Sequence, residues 1–188
     1  MIPGGPGHRG NGRVFEELAL PLLDDLYRLA CRLEGDPHDA QDLVQDALLT
    51  GFRKFHQLRD PRAFRAWISS ILRNTHLNRR SSTVQKLPSV PFSEHALGPP
   101  EGPSAHYEPE RRLLARRLSQ ELRRALDRLP EDQRIAVFLI DMQGFRYGDA
   151  AEVLGVPPGT VASRVARARA ALRGFLEHVA RERGWAES

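Results

Sequence analysis

Thr160, Ser163, Arg164 and Arg167 carry the most specific chemistry in this 188-residue chain. At about 100° of turn per helical residue they fall on one strip. That strip runs beside an apolar stripe of Val161, Val165, Ala168, Leu172, Phe175 and Val179, with Arg169 and Arg173 on the opposite flank. Hydroxyls and guanidinium forks donate to base edges and phosphates, while an apolar seam docks the helix on its own domain. The layout fits a helix that reads duplex DNA. Upstream, Tyr147 to Leu154 read as a shorter helix with Ala150, Ala151 and Leu154 at helical spacing. Gly155 supplies its end, and Pro157 and Pro158 restart the chain. Together these residues spell a helix-turn-helix.

A second surface is acidic. In DAQDLVQDALLTGFRKF, residues 39–55, a helical projection turns Leu43, Val44, Ala47 and Leu48 inward. Asp42, Gln45, Asp46 and Leu49 face outward. An apolar anchor inside a charged rim suits a protein partner. The following helix, from Pro61 to about Arg80, has a core stripe of Phe64, Ile68, Ile71 and Leu72. Trp67, Asn74 and Asn78 share a strip at its edge, flanked by basic residues. An aromatic platform beside amides and cations suits unstacked bases. Asparagine has poor helix propensity, so Asn74 and Asn78 in a helix interior call for a reason.

The charge is unevenly distributed. Eight basic residues stand against Asp60 alone between Arg53 and Arg80, and six arginines against two glutamates between Pro158 and Gly184. Asp36 to Leu49 holds four aspartates and neither lysine nor arginine. Polyanions are expected at the two basic segments and a different partner at the acidic one. No Ser/His/Asp arrangement, metal-spaced Cys/His set or glycine-rich phosphate loop is present, so no catalytic residue, metal or cofactor is expected. His38, His56 and His76 are scattered and are expected at the surface. The single Cys31 excludes an internal disulfide and fits a reducing compartment. No apolar run reaches the length of a membrane span, and the start lacks the apolar core of a secretion signal. A cytoplasmic protein without membrane insertion is expected.

These side chains must be positioned by helices, since no strand alternation of useful length occurs. The expected fold is all-α: two small helical domains joined by a flexible Pro-rich linker, the second containing the helix-turn-helix. Residues 1–12, with five glycines and two prolines, read as a disordered tail. Residues 13–81 form the first domain, with breaks at Pro21, at Gly35-Asp36-Pro37 and at Asp60-Pro61. Residues 82–109 form the linker; six prolines lie between Pro88 and Pro109. Residues 110–184 form the second domain, and Pro130 ends its first helix.

DAQDLVQDALLTGFRKF, then FRAWISSILRNTHLN, then LPEDQRIAVFLIDMQGFRYGDAAEVLGVPPGTVASRVARAR resemble the extracytoplasmic-function (ECF) sigma factors of bacterial RNA polymerase. The likeness spans nearly all of residues 14 to 180. Within the family, RIAVFLIDMQGF and the Pro-interrupted first helix look most like the actinobacterial thiol-stress branch. The resemblance implies that Asp42, Gln45, Asp46 and Leu49 dock on core RNA polymerase. It implies that the loop Leu58 to Ala63 with Trp67, Asn74 and Asn78 opens the −10 element. Ser163, Arg164 and Arg167, with Thr160 and Ala162 alongside, would read the −35 element in the major groove, Arg169 and Arg173 on the other flank are expected to bind the same DNA, and an anti-sigma factor would hold the chain inactive. Leu58 stands where many relatives carry an aromatic, and Ala162 and Ala166 stand where many carry longer side chains. The residues alone also admit a stand-alone helix-turn-helix regulator, or a helical adaptor that binds only proteins.

Overall fold

The breaks in the sequence become caps. In this computed structural model, which describes residues 6–82 and 120–183, Gly35 takes a left-handed conformation (φ 78°) and its N–H bonds to Cys31 O at 3.0 Å. Only glycine adopts that geometry without a Cβ penalty, so helix α2 (Leu23–Glu34) ends there. The next residue starts a new helix. Asp36 accepts from the backbone N–H groups of His38 (2.8 Å) and Asp39 (3.1 Å), and Pro37 opens α3 (Pro37–Lys54). Asp60 repeats the device. It accepts from the Arg62 N–H at 2.9 Å, and a 3₁₀ turn, Pro61–Ala63, feeds α4 (Phe64–Ser82). Pro21 lies in another 3₁₀ turn, Leu20–Leu22, which separates α1 (Pro6–Ala19) from α2. Helix α1 begins inside residues 1–12, the stretch whose composition reads as a tail; its Phe15 is buried.

Helices α1 to α4 carry one compact unit. Leu26, Leu29 and Ala30 of α2, Leu43 and Ala47 of α3, and Phe64, Ile68 and Leu72 of α4 form its core. A Cβ on Gly51 would lie 2.5 Å from Ile68 Cδ1, so the Ile68 side chain of α4 fills the space that a larger residue on α3 would need. Phe15 stands edge-on to Phe52, Phe55 and Phe64, with ring centroids 5.5, 5.4 and 5.5 Å apart, a favoured aromatic arrangement. Three expectations about this core change. Ile71 is only half-buried. Val44 and Leu48 are half-buried too, and with Leu23 and Tyr27 they line an open groove of about 310 Å³ between α2 and α3. His76, expected at the surface, is 2% exposed.

The second unit is carried by helical residues 120–127, by α5 (Glu131–Val137) and by α7 (Pro158–Glu182). Helix α5 widens into a π-helical turn, Phe138–Met142, which closes with Gln143 N–H to Phe138 O at 3.0 Å. Val161, Val165 and Ala168 of α7 are buried with Ala136, Phe138 and Leu139, because their spacing keeps them on one helix face. Farther along α7, Arg128 stacks over the Phe175 ring at 4.4 Å and Arg183 pairs with buried Glu121. These contacts anchor the end of α7 to residues 121 and 128. Helix α6 (Tyr147–Leu154) precedes α7, and Gly155 between them has φ 61°. The described residues are all helix and turn, with no strand among them. The linker, apart from Ser82 at the end of α4, and residues 110–119 of the expected second domain lie outside the described residues.

Candidate nucleic-acid interface

Helix α7 has Pro158 at its first position, where a missing N–H costs nothing. The Thr160 N–H bonds to Pro157 O at 2.9 Å. Ser163 Oγ donates to Thr160 O at 2.9 Å, and Arg167 Nε donates to Ser163 O at 3.2 Å. Ser163 and Arg167 are exposed and Thr160 half-buried, so the polar strip is accessible and, among the described residues, tied only to its own helix. Arg164 turns aside. Its Nε lies 3.0 Å from Asp132 Oδ2, near the start of α5, and its side chain is 21% exposed. Arg169 is bound at both Nε (3.0 Å) and Nη2 by the Asp141 carboxylate, whose hydrogen bonds and charge push the pKa of Arg169 upward. Arg173 is exposed, with no partner among the described residues. The six residues singled out from the sequence therefore separate into a strip (Thr160, Ser163, Arg167), two arginines held by carboxylates, and one open cation.

On the first unit, Asp42, Gln45, Asp46 and Leu49 are all exposed, Leu49 by 49%. Fully buried Leu43 and Ala47 behind them fix the direction of the face. Asp46 also forms an ion pair with Arg79 of α4. Arg79 lies 3.9 Å from Glu34, which sits 3.1 Å from Nδ1 of buried His76. Acidic α3 is thus linked through Arg79 to the basic end of α4. Asn74 and Asn78 are exposed on α4. Trp67 is half-buried, its ring 5.8 Å from Phe64 and 6.5 Å from Phe55, so it forms the rim of the aromatic cluster. Leu58 is half-buried, with its N–H on Phe55 O at 3.1 Å.

Asp132, Asp141 and Arg79 are participants that sequence reasoning missed. Each reaches its partner across a separation that helix periodicity does not encode. His76 did carry a signal: Phe64, Ile68, Leu72 and His76 recur every fourth residue, which continues the core stripe.

The first unit carries an exposed acidic-apolar face and the second an accessible polar strip on a helix that follows a tight turn, and each matches a sigma-70 family model. The family model described as Sigma-70 region 2 matches residues 18–84, and that described as Sigma-70, region 4 matches residues 119–172. The chain belongs to the ECF RNA polymerase sigma factors, a family of transcription initiation factors and not enzymes. It is 32% identical to the RNA polymerase sigma-H factor of Pseudomonas aeruginosa, over 93% of this chain and 92% of that protein. It is 37% identical to the ECF sigma factor SigE of Mycolicibacterium smegmatis, over 86% of this chain but only 61% of that longer protein. Among solved structures, it superposes on the sigma factor RpoE of Bartonella quintana, in complex with the anti-sigma factor NepR, with a TM-score of 0.62. That match has 31% identity over 87% of this chain and 96% of the other. CnrH, in complex with the cytosolic domain of CnrY, shares the fold with a TM-score of 0.60, at 24% identity over 91% and 92% of the two chains. No helix among the described residues is long and apolar enough to cross a membrane.

Proposed function

We propose that this chain is an alternative sigma factor that brings core RNA polymerase to promoters and starts transcription there. The observation that carries the reading is the pairing, in one chain, of an outward Asp42–Gln45–Asp46–Leu49 face on α3 with an accessible Thr160–Ser163–Arg167 strip on α7. The α3 face docks on polymerase, its leucine as anchor and its aspartates against a basic rim. Helix α7 sets the register on the −35 duplex, with Arg164 reading a base and Arg173 meeting phosphate. Arg169, engaged by Asp141, braces the helix. Trp67, Asn74 and Asn78 on α4 take part in −10 opening. Extruding a base costs a few kcal/mol, which stacking, edge hydrogen bonds and polymerase contacts offset.

The chain works in the cytoplasm, and an anti-sigma factor holds it inactive until a stress signal; the complex of RpoE with the anti-sigma factor NepR supports that reading. A place in the thiol-stress branch rests on RIAVFLIDMQGF and the Pro-interrupted first helix. A thiol oxidant should then raise transcription that depends on this chain. Run-off transcription from a genomic template pool, with core polymerase alone and with the chain added, tests the function. New start sites that require the chain are expected. Tight duplex binding without any new start site would favour a stand-alone regulator.

A further inference from the structure

The arginines of α7 are held in different ways, and the difference assigns a role to a residue outside the helix. Arg169 offers Nε and Nη2 to Asp141, so most of its donor fork is occupied. Among the described residues Arg167 bonds only to Ser163 one turn earlier, and it is exposed. Arg164 is intermediate: it is ion-paired to Asp132, whose Oδ2 lies 3.0 Å from Nε, and among the described residues its two Nη groups make no hydrogen bond. The ion pair restrains where the guanidinium can go without aligning its Nε–H on the carboxylate. The Nη groups remain, and the fork is what matches O6 and N7 of guanine.

The charge makes this arrangement informative. Asp132 is 48% exposed beside a helix proposed to meet a polyanion, where a carboxylate repels phosphate and weakens binding to any sequence. It belongs there if it performs selection. A guanidinium ordered before contact loses less freedom on binding, and a tethered one cannot swing to a nearby phosphate or another base.

We infer that Asp132 is a positioning residue that aims Arg164 at one base of the −35 duplex, so that selectivity is gained at the expense of general affinity. The inference rests on the proposed DNA-reading role of α7. The test uses the full chain with core RNA polymerase and a pool of random-sequence duplexes, from which bound species are sequenced. Wild type is compared with Asp132→Asn, Asp132→Glu, Arg164→Ala, Arg167→Ala and the Asp132→Asn/Arg164→Ala pair.

Wild type should enrich a motif. Asp132→Asn and Arg164→Ala should each lose preference at the same base position, by roughly tenfold, and the double variant should lose no more than Arg164→Ala. Asp132→Asn should hold the unselected pool at least as tightly as wild type, because a charge that repels phosphate has gone. Asp132→Glu, which keeps the carboxylate, should restore part of the preference and shows that a failing Asn variant is not merely misfolded. Arg167→Ala should lose preference at a different position. A wild-type profile in Asp132→Asn, while Arg164→Ala loses a position, overturns the inference. So does a wild-type profile in Arg164→Ala while Arg167→Ala loses one. A wild-type chain that enriches no motif removes the DNA-reading role itself, and the inference with it.

Discussion

The Asp36 carboxylate accepts hydrogen bonds from the backbone N–H groups of Asp39 and His38, and these donors hold its pKa below the usual 3.8. A carboxyl whose pKa is lowered by folding stabilises the folded state above its unfolded value, and that contribution is lost as pH falls through the lowered folded value. Asp36→Ala should therefore melt at a lower temperature than wild type at pH 7, and the gap should close as pH drops below about 4. Thermal scans of both proteins across pH 2.5–7 check this; a gap that does not depend on pH would exclude the cap as its source. On α7, the open cation and the strip residue should behave differently. Arg173→Ala should weaken binding to all duplexes alike and lower the salt slope by about one. Arg167→Ala should cost roughly 1–3 kcal/mol on the preferred −35 sequence only. Anisotropy titrations of the polymerase complex on preferred and scrambled duplexes, at several salt concentrations, separate the two outcomes.

At the scale of elements, the Asp46–Arg79 pair changes how the α3 face should be tested. Asp46→Lys would set a lysine against Arg79 of α4, so lost polymerase binding could reflect a disturbed first unit. Asp42→Lys with Leu49→Ala avoids that, since both residues are exposed and Asp42 has no ion pair among the described residues. Stability should change by no more than about 0.5 kcal/mol per site, while affinity for core polymerase falls by roughly an order of magnitude. Unchanged affinity in the folded variant would leave α3 as a solvated helix. On α4, Asn74→Ala should leave polymerase binding intact and slow promoter opening, followed by permanganate reactivity of unpaired thymines. Normal opening with both Asn74 and Asn78 replaced would remove α4 from −10 capture. The helices themselves were legible because their ends are written locally: Gly35, Asp36-Pro37, Asp60-Pro61 and Gly155 act within a few residues. The directions of Asp42, Gln45 and Leu49 were legible for the same reason, as helix periodicity is local. Partners such as Asp46 with Arg79, Arg164 with Asp132 and Arg169 with Asp141 were not, because packing between helices brings them together. Trp67 could be placed on a strip, but whether it stood free or lay against Phe55 and Phe64 depended on that packing.

At the scale of the whole molecule, the two units set a condition that neither sets alone. If the first engages the −10 element and the second the −35 element while both belong to one chain on one polymerase, the second binding event is intramolecular. Its effective concentration collapses when geometry forbids both contacts at once. Duplex DNA makes this sensitive to face as well as distance, since one turn takes about 10–10.5 bp. Inserting about 5 bp, half a turn, between the elements of a promoter selected by the polymerase complex should therefore abolish transcription that depends on this chain. Binding of the −35 duplex alone should remain. Restoring a full turn should recover little, because the −35 groove then faces correctly but lies roughly 34 Å too far away. The measurement is run-off transcription from templates that differ only in spacer length, with a duplex-binding control on the −35 segment. Transcription indifferent to the insertion would mean that the helix-turn-helix acts as a free-standing DNA anchor, and the stand-alone regulator would become the better account of the chain.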